Sequence, residues 1–104
     1  MVILRDRFGR SVRLTRERLG HLTNTHPELK DQVTKISETL LFPDRVIESR
    51  TDSSVSLYYR HYDHTPVTEK YMCVVVKSLT DDHFVITAYF TDSEKQGKVL
   101  WEKR

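Results

Sequence analysis

Two stretches rich in β-branched and aromatic residues dominate the second half of the chain. Residues 71–79 and 84–91 flank a polar turn at 80–83, an arrangement typical of a β-hairpin. The first stretch is apolar on both faces, as expected of a central strand covered on both sides. The second stretch alternates. One face carries Phe84, Ile86, Ala88 and Phe90, and the other face carries Val85, Thr87, Tyr89 and Thr91. We expect the first set to face the core and the second to face away from it.

The first half of the chain predicts a hairpin followed by two helices. Two short apolar runs separated by a glycine turn indicate the hairpin within residues 2–14. Thr15 is a favourable N-cap for the first helix. Pro27 disfavours helical geometry at His26, so this helix should end or break there. A second apolar stripe, running to about residue 41, predicts the second helix and comprises Leu29, Val33, Ile36 and Leu40.

The remaining strands complete an α+β pattern. Residues 55–62 alternate. Leu57 and Tyr59 lie on one face, and Tyr58 and Arg60 lie on the other. Shorter strands are indicated near residues 46–47 and 99–101. The order predicts two N-terminal helical segments packed on one face of a curved antiparallel β-sheet of about four strands. The other face of the sheet would then be free to bind a partner.

Length and composition narrow the class of protein. A chain of 104 residues is expected to form one domain over residues 1–104. Its net charge of +2 and pI of 8.8 are compatible with a nucleic-acid partner without requiring one. No apolar run is long enough to predict a membrane span. The single cysteine, Cys73, lies in the predicted central strand and cannot form an internal disulfide, which favours a cytoplasmic protein.

The histidines do not predict a metal site. His21 and His26 lie about 140° apart around an ideal helix and so do not share one face. His61 and His64 are closer in sequence, next to Asp63, but they lack a third ligand at an obvious spacing. His26 shares the apolar face of its helix, where a hydrogen-bonded core histidine is the alternative to a functional one. We therefore expect no metal and no organic cofactor.

The polar residues that remain suit the cleavage of RNA without a metal. That reaction needs a base for the 2′-hydroxyl proton, an acid for the leaving 5′-oxygen, and cations for the phosphate. Arg60 is one candidate cation and Lys77 is another. A two-residue turn would pair Lys77 with Ile86 on the core side, whereas a bulge would place it with Tyr89. The sequence alone leaves both arrangements open.

Several segments together resemble a known group of phage and bacterial proteins. The most specific are HPEL at 26–29, VVVK at 74–77 and TAYFTD at 87–92, with LYYR at 57–60 and KVLW at 98–101. They are similar to the predicted nuclease family grouped with barnase, EndoU, colicin-type tRNases and RelE toxins, and the similarity extends over nearly the whole chain. The resemblance implies helices followed by a curved antiparallel sheet. It points to His26, Arg60, Lys77, Thr87, Tyr89 and Thr91, with His21 as a further possibility. Together with the polar strand residue Tyr58 and with Lys95 after the last long strand, this gives catalytic and substrate-binding candidates. The catalytic candidates are His21, His26, Arg60, Lys77 and Tyr89, and the substrate-binding candidates are Tyr58, Thr87, Thr91 and Lys95.

Two functions follow as expectations. The first is a metal-independent ribonuclease that acts by 2′-hydroxyl attack, as a toxin or phage-associated effector with an antitoxin or immunity protein as its partner. The alternative is a non-catalytic module of the same fold that binds RNA or protein. The ribonuclease places Arg60, Tyr89 and a histidine or Lys77 in one shared cleft, on the sheet face away from the helices. The binding module needs these residues only on one broad face.

Overall fold

The fold is built on one sheet of seven strands. The computed structural model describes all 104 residues. The elements are β1 (Val2–Arg5), β2 (Ser11–Leu14), α1 (Arg16–Thr25), a 3-10 turn (Pro27–Leu29), α2 (Val33–Leu41), β3 (Arg45–Glu48), β4 (Val55–Tyr62), β5 (Lys70–Ser78), β6 (His83–Thr91) and β7 (Lys98–Glu102). The strand order in the sheet is β1-β2-β6-β5-β4-β3-β7. Neither helix is long and apolar enough to cross a membrane.

The sheet corrects the predicted architecture. It has seven strands rather than about four, and it is mixed rather than antiparallel, because β2 pairs in parallel with β6 through Arg13 and Phe84. The helices are also preceded by the two strands of the opening hairpin. The α+β class is correct, but the short strands join the sheet through contacts that are distant in sequence. Alternation marks such segments as strands without indicating which neighbour each one pairs with.

Local sequence sets the ends of α1. The Thr15 side chain accepts a 3.0 Å hydrogen bond from the Arg18 backbone N–H, as the predicted cap requires. His26 leaves the helical region with φ −127° and ψ 80°, and its N–H donates to the Leu22 carbonyl. Pro27 then opens the 3-10 turn, where its missing N–H costs nothing. The prediction that the first helix ends at His26 is confirmed.

The main core lies between the helices and one face of the sheet, which we call the helix face. It is built from 14 buried residues, and those of the helical region are Leu22, Leu29, Ile36 and Leu40. The strands contribute, among others, Tyr58, Met72, Val74, Val76, Val85 and Ala88. Burial of this apolar surface is the main driving force for folding.

The opposite side of the sheet, which we call the open face, carries a second and smaller cluster. Its fully or nearly buried members are Ile47, Leu57, Tyr59 and Cys73, and partly buried Tyr71, Val75 and Tyr89 pack against them. No helix contributes to this cluster. Leu57 and Tyr59 are therefore apolar residues of the open face, and Tyr58 is a residue of the main core.

A bulge in the central hairpin decides the position of Lys77. Val75 pairs with Thr87 and Val76 with Val85, so Ile86 is an extra residue between them. Lys77 consequently pairs with Phe84 rather than Ile86. This places the lysine on the open face with Tyr89, which is the second of the two arrangements that the sequence allowed. It also corrects the predicted core set, because Val85 is buried in the main core whereas Phe84 faces the other way.

Candidate functional site

Three side chains form a row across the centre of the open face. Tyr59 pairs with Cys73, and Cys73 pairs with Tyr89, on three neighbouring strands. Because directly paired residues point to the same side of a sheet, their side chains meet. Two strand spacings of about 4.8 Å make the row about 10 Å wide. Tyr59 and Cys73 are fully buried, whereas Tyr89 is partly exposed at one end.

Burial dominates the electrostatics of this row. It raises the pKa of the Cys73 thiol to about 11, although hydrogen bonds to Tyr89 and Tyr59 and the charge of Lys95 act in the opposite direction. Burial and the neighbouring Cys73 likewise raise the pKa of the Tyr89 hydroxyl. A tyrosine hydroxyl is protonated at neutral pH in any case; the raised pKa makes the Tyr89 hydroxyl a weaker acid and means that it is not present as a phenolate base.

His26 lies at the Tyr89 end of the row. The two ring centroids are 6.2 Å apart, with 35° between the ring planes. The break at Pro27 positions this histidine, because it ends α1 at the edge of β6. Nδ1 of His26 lies 3.5 Å from Oε1 of Glu28, and about a third of each side chain or less is exposed. Since Glu28 occupies the Nδ1 side, Nε2 is the atom left to exchange a proton with a ligand.

The opposite end of the row is closed by residues 92–97, the segment before β7. The backbone N–H of Lys95 donates a 3.0 Å hydrogen bond to the Tyr59 hydroxyl. Glu94 in the same segment contacts the Arg45 guanidinium at 3.3 Å. These two contacts fix the segment against the sheet. The Lys95 side chain is exposed, and its charge is close enough to the row to lower the pKa of Cys73.

A pocket of about 400 Å³ lies beside this segment, above Leu57. Its polar lining comes from the β3–β4 turn and from residues 95–96, and consists of Ser49, Arg50, Thr51, Lys95 and Gln96. Two cations and two hydroxyls with no carboxylate among them form a lining that suits a phosphate group. None of residues 49–51 was among the candidate site residues predicted from the sequence. The run Ser-Arg-Thr was the available signal for an anion site.

Three other predicted residues also lie on the open face. Lys77 donates a 2.7 Å hydrogen bond from Nζ to Oδ2 of Asp52, so its charge is neutralised by a partner. Thr87 and Thr91 flank Tyr89 along β6. The Thr91 hydroxyl donates to the Ser93 carbonyl at 3.1 Å, which helps to turn the chain into the closing segment. Of these three, Thr87 remains available to a ligand.

The predicted shared cleft of Arg60 and Tyr89 is wrong. Arg60 pairs with Met72 and Met72 with Phe90, so Arg60 lies on the helix face. Its Nη1 donates a 2.7 Å hydrogen bond to the Phe42 carbonyl at the end of α2. The error came from assuming that the apolar residues Leu57 and Tyr59 share the core of the helices. The open face has its own apolar cluster, to which Leu57 and Tyr59 belong. The two faces of β4 are therefore the reverse of the prediction.

Tyr58 and His21 lie away from the open face as well. Tyr58 is fully buried in the main core, and its hydroxyl donates to Asp6 and accepts from Arg10. It is therefore a structural residue and has no surface to offer a substrate. His21 is exposed on α1, next to buried Leu22, whereas His26 follows the end of the helix.

One cluster has the composition of a metal site. Ligand atoms of His61, Asp63 and Glu69 lie within 4.8 Å of one another, whereas His64 is not part of the group. Both ring nitrogens of His61 already face carboxylates, at 3.7 Å from Asp63 and 3.1 Å from Glu69. An imidazole ring can form hydrogen bonds with neighbouring carboxylates without an ion between them. The cluster therefore gives no reason to place a metal here.

The open face thus combines a histidine, a protonated tyrosine hydroxyl and a cationic pocket on one surface. A histidine can take or give a proton near neutral pH. Partly exposed Tyr71 and Tyr89 offer rings for stacking. Comparisons with protein-family models, with curated proteins and with solved structures find no match to this chain.

Proposed function

We propose that the protein is a metal-independent ribonuclease that binds single-stranded RNA on the open face. The observation that carries the proposal is the position of His26, with its ring centroid 6.2 Å from that of Tyr89. RNA supplies its own nucleophile in the 2′-hydroxyl, so the protein needs to provide only a base, an acid and a cation. Around the central row, the base is His26, the acid is Tyr89 and the cation is Lys95.

The roles follow from the protonation states. His26 accepts the 2′-hydroxyl proton at Nε2, and the 2′-oxygen bonds to phosphorus as the bond from phosphorus to the 5′-oxygen breaks. Tyr89, which is protonated at neutral pH, gives its proton to the leaving 5′-oxygen, because the departing alkoxide is a stronger base than the phenolate. The products are a 2′,3′-cyclic phosphate and a 5′-hydroxyl end. The proton on His26 then returns to the Tyr89 phenolate, so the site is restored without an outside reagent.

The rest of the open face holds the strand. Arg50 lines the pocket at the far end of the row and binds a phosphate of the chain beyond the cleavage point. The partly exposed rings of Tyr71 and Tyr89 stack on bases, which is how sheet surfaces commonly bind single-stranded RNA. The width of the row, about 10 Å, matches a short stretch of single strand rather than a duplex.

A non-catalytic RNA-binding module is the second candidate. It is favoured by the loss of two predicted cations from the site, since Arg60 lies on the helix face and Lys77 is paired with Asp52. Binding requires only that aromatic rings and cations share a broad surface. Catalysis requires a cation close to the reacting phosphate, and Lys95 is the residue proposed to supply it.

The proposal extends to cellular context. A buried free cysteine and an RNA substrate agree with a cytoplasmic protein. In a toxin-type role, an antitoxin or immunity protein would inhibit the enzyme by covering the open face.

Cleavage of a defined substrate in EDTA tests the proposal. The substrate is a fluorescent DNA oligonucleotide that contains one ribonucleotide, so that only one 2′-hydroxyl can react. We expect one cut, with a cyclic phosphate product identified by mass spectrometry. His26→Gln and Tyr89→Phe should each lower the rate by about 10²-fold or more, whereas the exposed loop variant His64→Gln should leave it unchanged.

Binding measurements separate the two candidates. An all-DNA version of the oligonucleotide cannot be cut, and its affinity should fall when Arg50 and Lys95 are both replaced by Gln. Binding without any cleavage by the wild-type protein would favour the non-catalytic module. Absence of both binding and cleavage would overturn both functions.

A further inference from the structure

A second cleft, on the helix face and away from the open face, contains Arg60. It has a volume of about 320 Å³ and lies between the end of α2 and the last strand. Its lining combines three cations with aromatic rings, and the residues that matter are Arg7, Arg60, Lys103, Trp101 and Phe42. We call it the Trp101 cleft.

The cations of this cleft are unevenly neutralised. Nζ of Lys103 lies 3.0 Å from Asp44, but neither Arg7 nor Arg60 has a carboxylate partner within ion-pair distance. Asp44 is itself occupied, because its other oxygen accepts the His61 backbone N–H at 2.8 Å. Asp44 is also close enough to Arg60 for the guanidinium to lower its pKa, but this carboxylate is shared with Lys103, and two guanidiniums beside one cavity still repel each other and attract an anion.

Arg60 has hydrogen-bonding capacity that the protein does not use. Nη1 donates to the Phe42 carbonyl, whereas Nε is buried and has no acceptor. A buried donor that has lost water without gaining an acceptor is unfavourable. Nη2 also makes no hydrogen bond and, unlike Nε, is not buried, so an anion in the cleft would bind there, and a phosphate can take two parallel hydrogen bonds from one guanidinium.

The apolar part of the lining indicates which chemical group the bound anion is attached to. The Arg7 guanidinium lies 4.8 Å from the centre of the Trp101 ring, which holds it in place across the indole. The Phe42 ring at the mouth is 61 % exposed and has room for a planar partner. A cavity of about 320 Å³ lies at the small end of the range for ligand sites. These features fit one phosphate attached to one planar base.

We propose that the Trp101 cleft is a binding site for a 5′-nucleotide, with its phosphate on Arg7 and Arg60 and its base against Phe42. The ligand is a free nucleotide or the 5′-phosphorylated end of an oligonucleotide. The site is separate from the open face, and it does not depend on whether the protein cleaves RNA.

Trp101 provides the test because it is the only tryptophan in the chain. We expect AMP to change the fluorescence of the wild-type protein in a saturable manner, adenosine to bind at least tenfold more weakly, and inorganic phosphate to compete with AMP. Arg7→Gln should weaken AMP binding by about tenfold, as expected for loss of a charge-assisted contact. Arg18→Gln, an equal charge change at an exposed position on α1, is the matched control and should have little effect.

A second pair of ligands identifies the source of the nucleotide. A 2′-O-methylated trinucleotide, which cannot be cut at its 2′-position, is compared with and without a 5′-phosphate. Tighter binding of the phosphorylated trinucleotide than of AMP assigns the site to RNA ends, and the reverse assigns it to free nucleotides. The proposal is overturned if AMP causes no saturable change, if adenosine binds equally well, or if Arg18→Gln weakens binding as much as Arg7→Gln. Arg60→Gln should also weaken AMP binding, and should that variant fail to fold, the exposed Arg7 still decides the outcome.

Discussion

The Tyr58 hydroxyl donates a 2.7 Å hydrogen bond to the Asp6 carboxylate, 52 positions earlier in the chain. The same carboxylate accepts from the Arg10 guanidinium at 2.8 Å and from the Phe8 and Arg10 backbone N–H groups. The Asp6 side chain is fully buried. This network joins the β1–β2 turn to the centre of the sheet, and it explains why Tyr58 can be buried in the main core with its hydroxyl satisfied.

Asp6→Asn should lower the free energy of unfolding at pH 7 by about 2–3 kcal/mol, because it removes a charged acceptor from a buried network. Burial opposes ionisation, but the hydrogen bonds from Tyr58 and Arg10 outweigh it and lower the pKa of Asp6. The stabilisation is therefore fully present above the unfolded-state pKa of about 3.9. It is lost as the pH falls through the lower pKa of the folded state.

Urea unfolding of both proteins at pH 7 and at lower pH checks this expectation. The difference in stability between wild type and Asp6→Asn should shrink as the medium becomes more acidic. Asp81→Asn, in the exposed turn between β5 and β6, is the control and should change stability little at either pH. A difference that grows on acidification would show that Asp6 is not held as a carboxylate.

Cys73 should be unreactive in the folded protein. The thiol is fully buried, and burial raises its pKa to about 11, so at pH 8 almost no thiolate is present. We expect an aromatic disulfide reagent to react with native protein only at the rate of unfolding, and with one thiol per chain in urea. Prompt reaction without denaturant would mean that the Tyr59–Cys73–Tyr89 row opens readily.

Asp52→Asn should strengthen RNA binding on the open face. Lys77, followed by Ser54, lowers the pKa of Asp52, so this carboxylate is ionised at every pH of interest and neutralises the lysine. Removing the charge frees the Lys77 ammonium for a phosphate. One added contact to single-stranded RNA should make the slope of log affinity against log salt steeper by about 0.7.

The matched control for Asp52→Asn is Asp31→Asn. Asp31 is exposed and has a positive φ of 62°, which Asn also tolerates. The two variants change the net charge equally, so a general charge effect would appear in both. Equal affinities and salt slopes for the two variants would contradict a role for Lys77 on this surface.

Local signals in the sequence predicted the ends of elements better than their pairing. Thr15 and Pro27 act within a few residues, so the start and end of α1 could be predicted. The place of Lys77 depended on one extra residue, Ile86, and the alternation of 84–91 does not reveal that a bulge interrupts it. Arg60 was assigned to the wrong face because both faces of the sheet are partly covered by apolar clusters. The apolar residues of a strand can then belong to either cluster. Which face of the strand packs against the helices depends on contacts between residues that are distant in sequence.

Gly97 should be essential to the position of the closing segment 92–97. A Cβ at this residue would lie 2.5 Å from the Glu48 carbonyl oxygen and 2.6 Å from Cγ2 of Ile47, and a backbone oxygen cannot move aside easily. Gly97→Ala should therefore push the segment away from β3, at a cost of about 1–3 kcal/mol in unfolding free energy. The displaced segment would weaken the contact from Lys95 to Tyr59 and distort the pocket lined by Arg50 and Lys95.

Gly20→Ala provides the opposite case within the same chain. Gly20 lies inside α1, a Cβ there meets nothing within 4 Å, and alanine favours a helix by up to about 1 kcal/mol. Thermal unfolding should thus show a higher midpoint for Gly20→Ala and a lower one for Gly97→Ala. Affinity for an uncleavable oligonucleotide should fall only in Gly97→Ala, because only that glycine positions the open face. If Gly97→Ala kept both wild-type stability and wild-type affinity, the closing segment would not be the support for the cationic pocket.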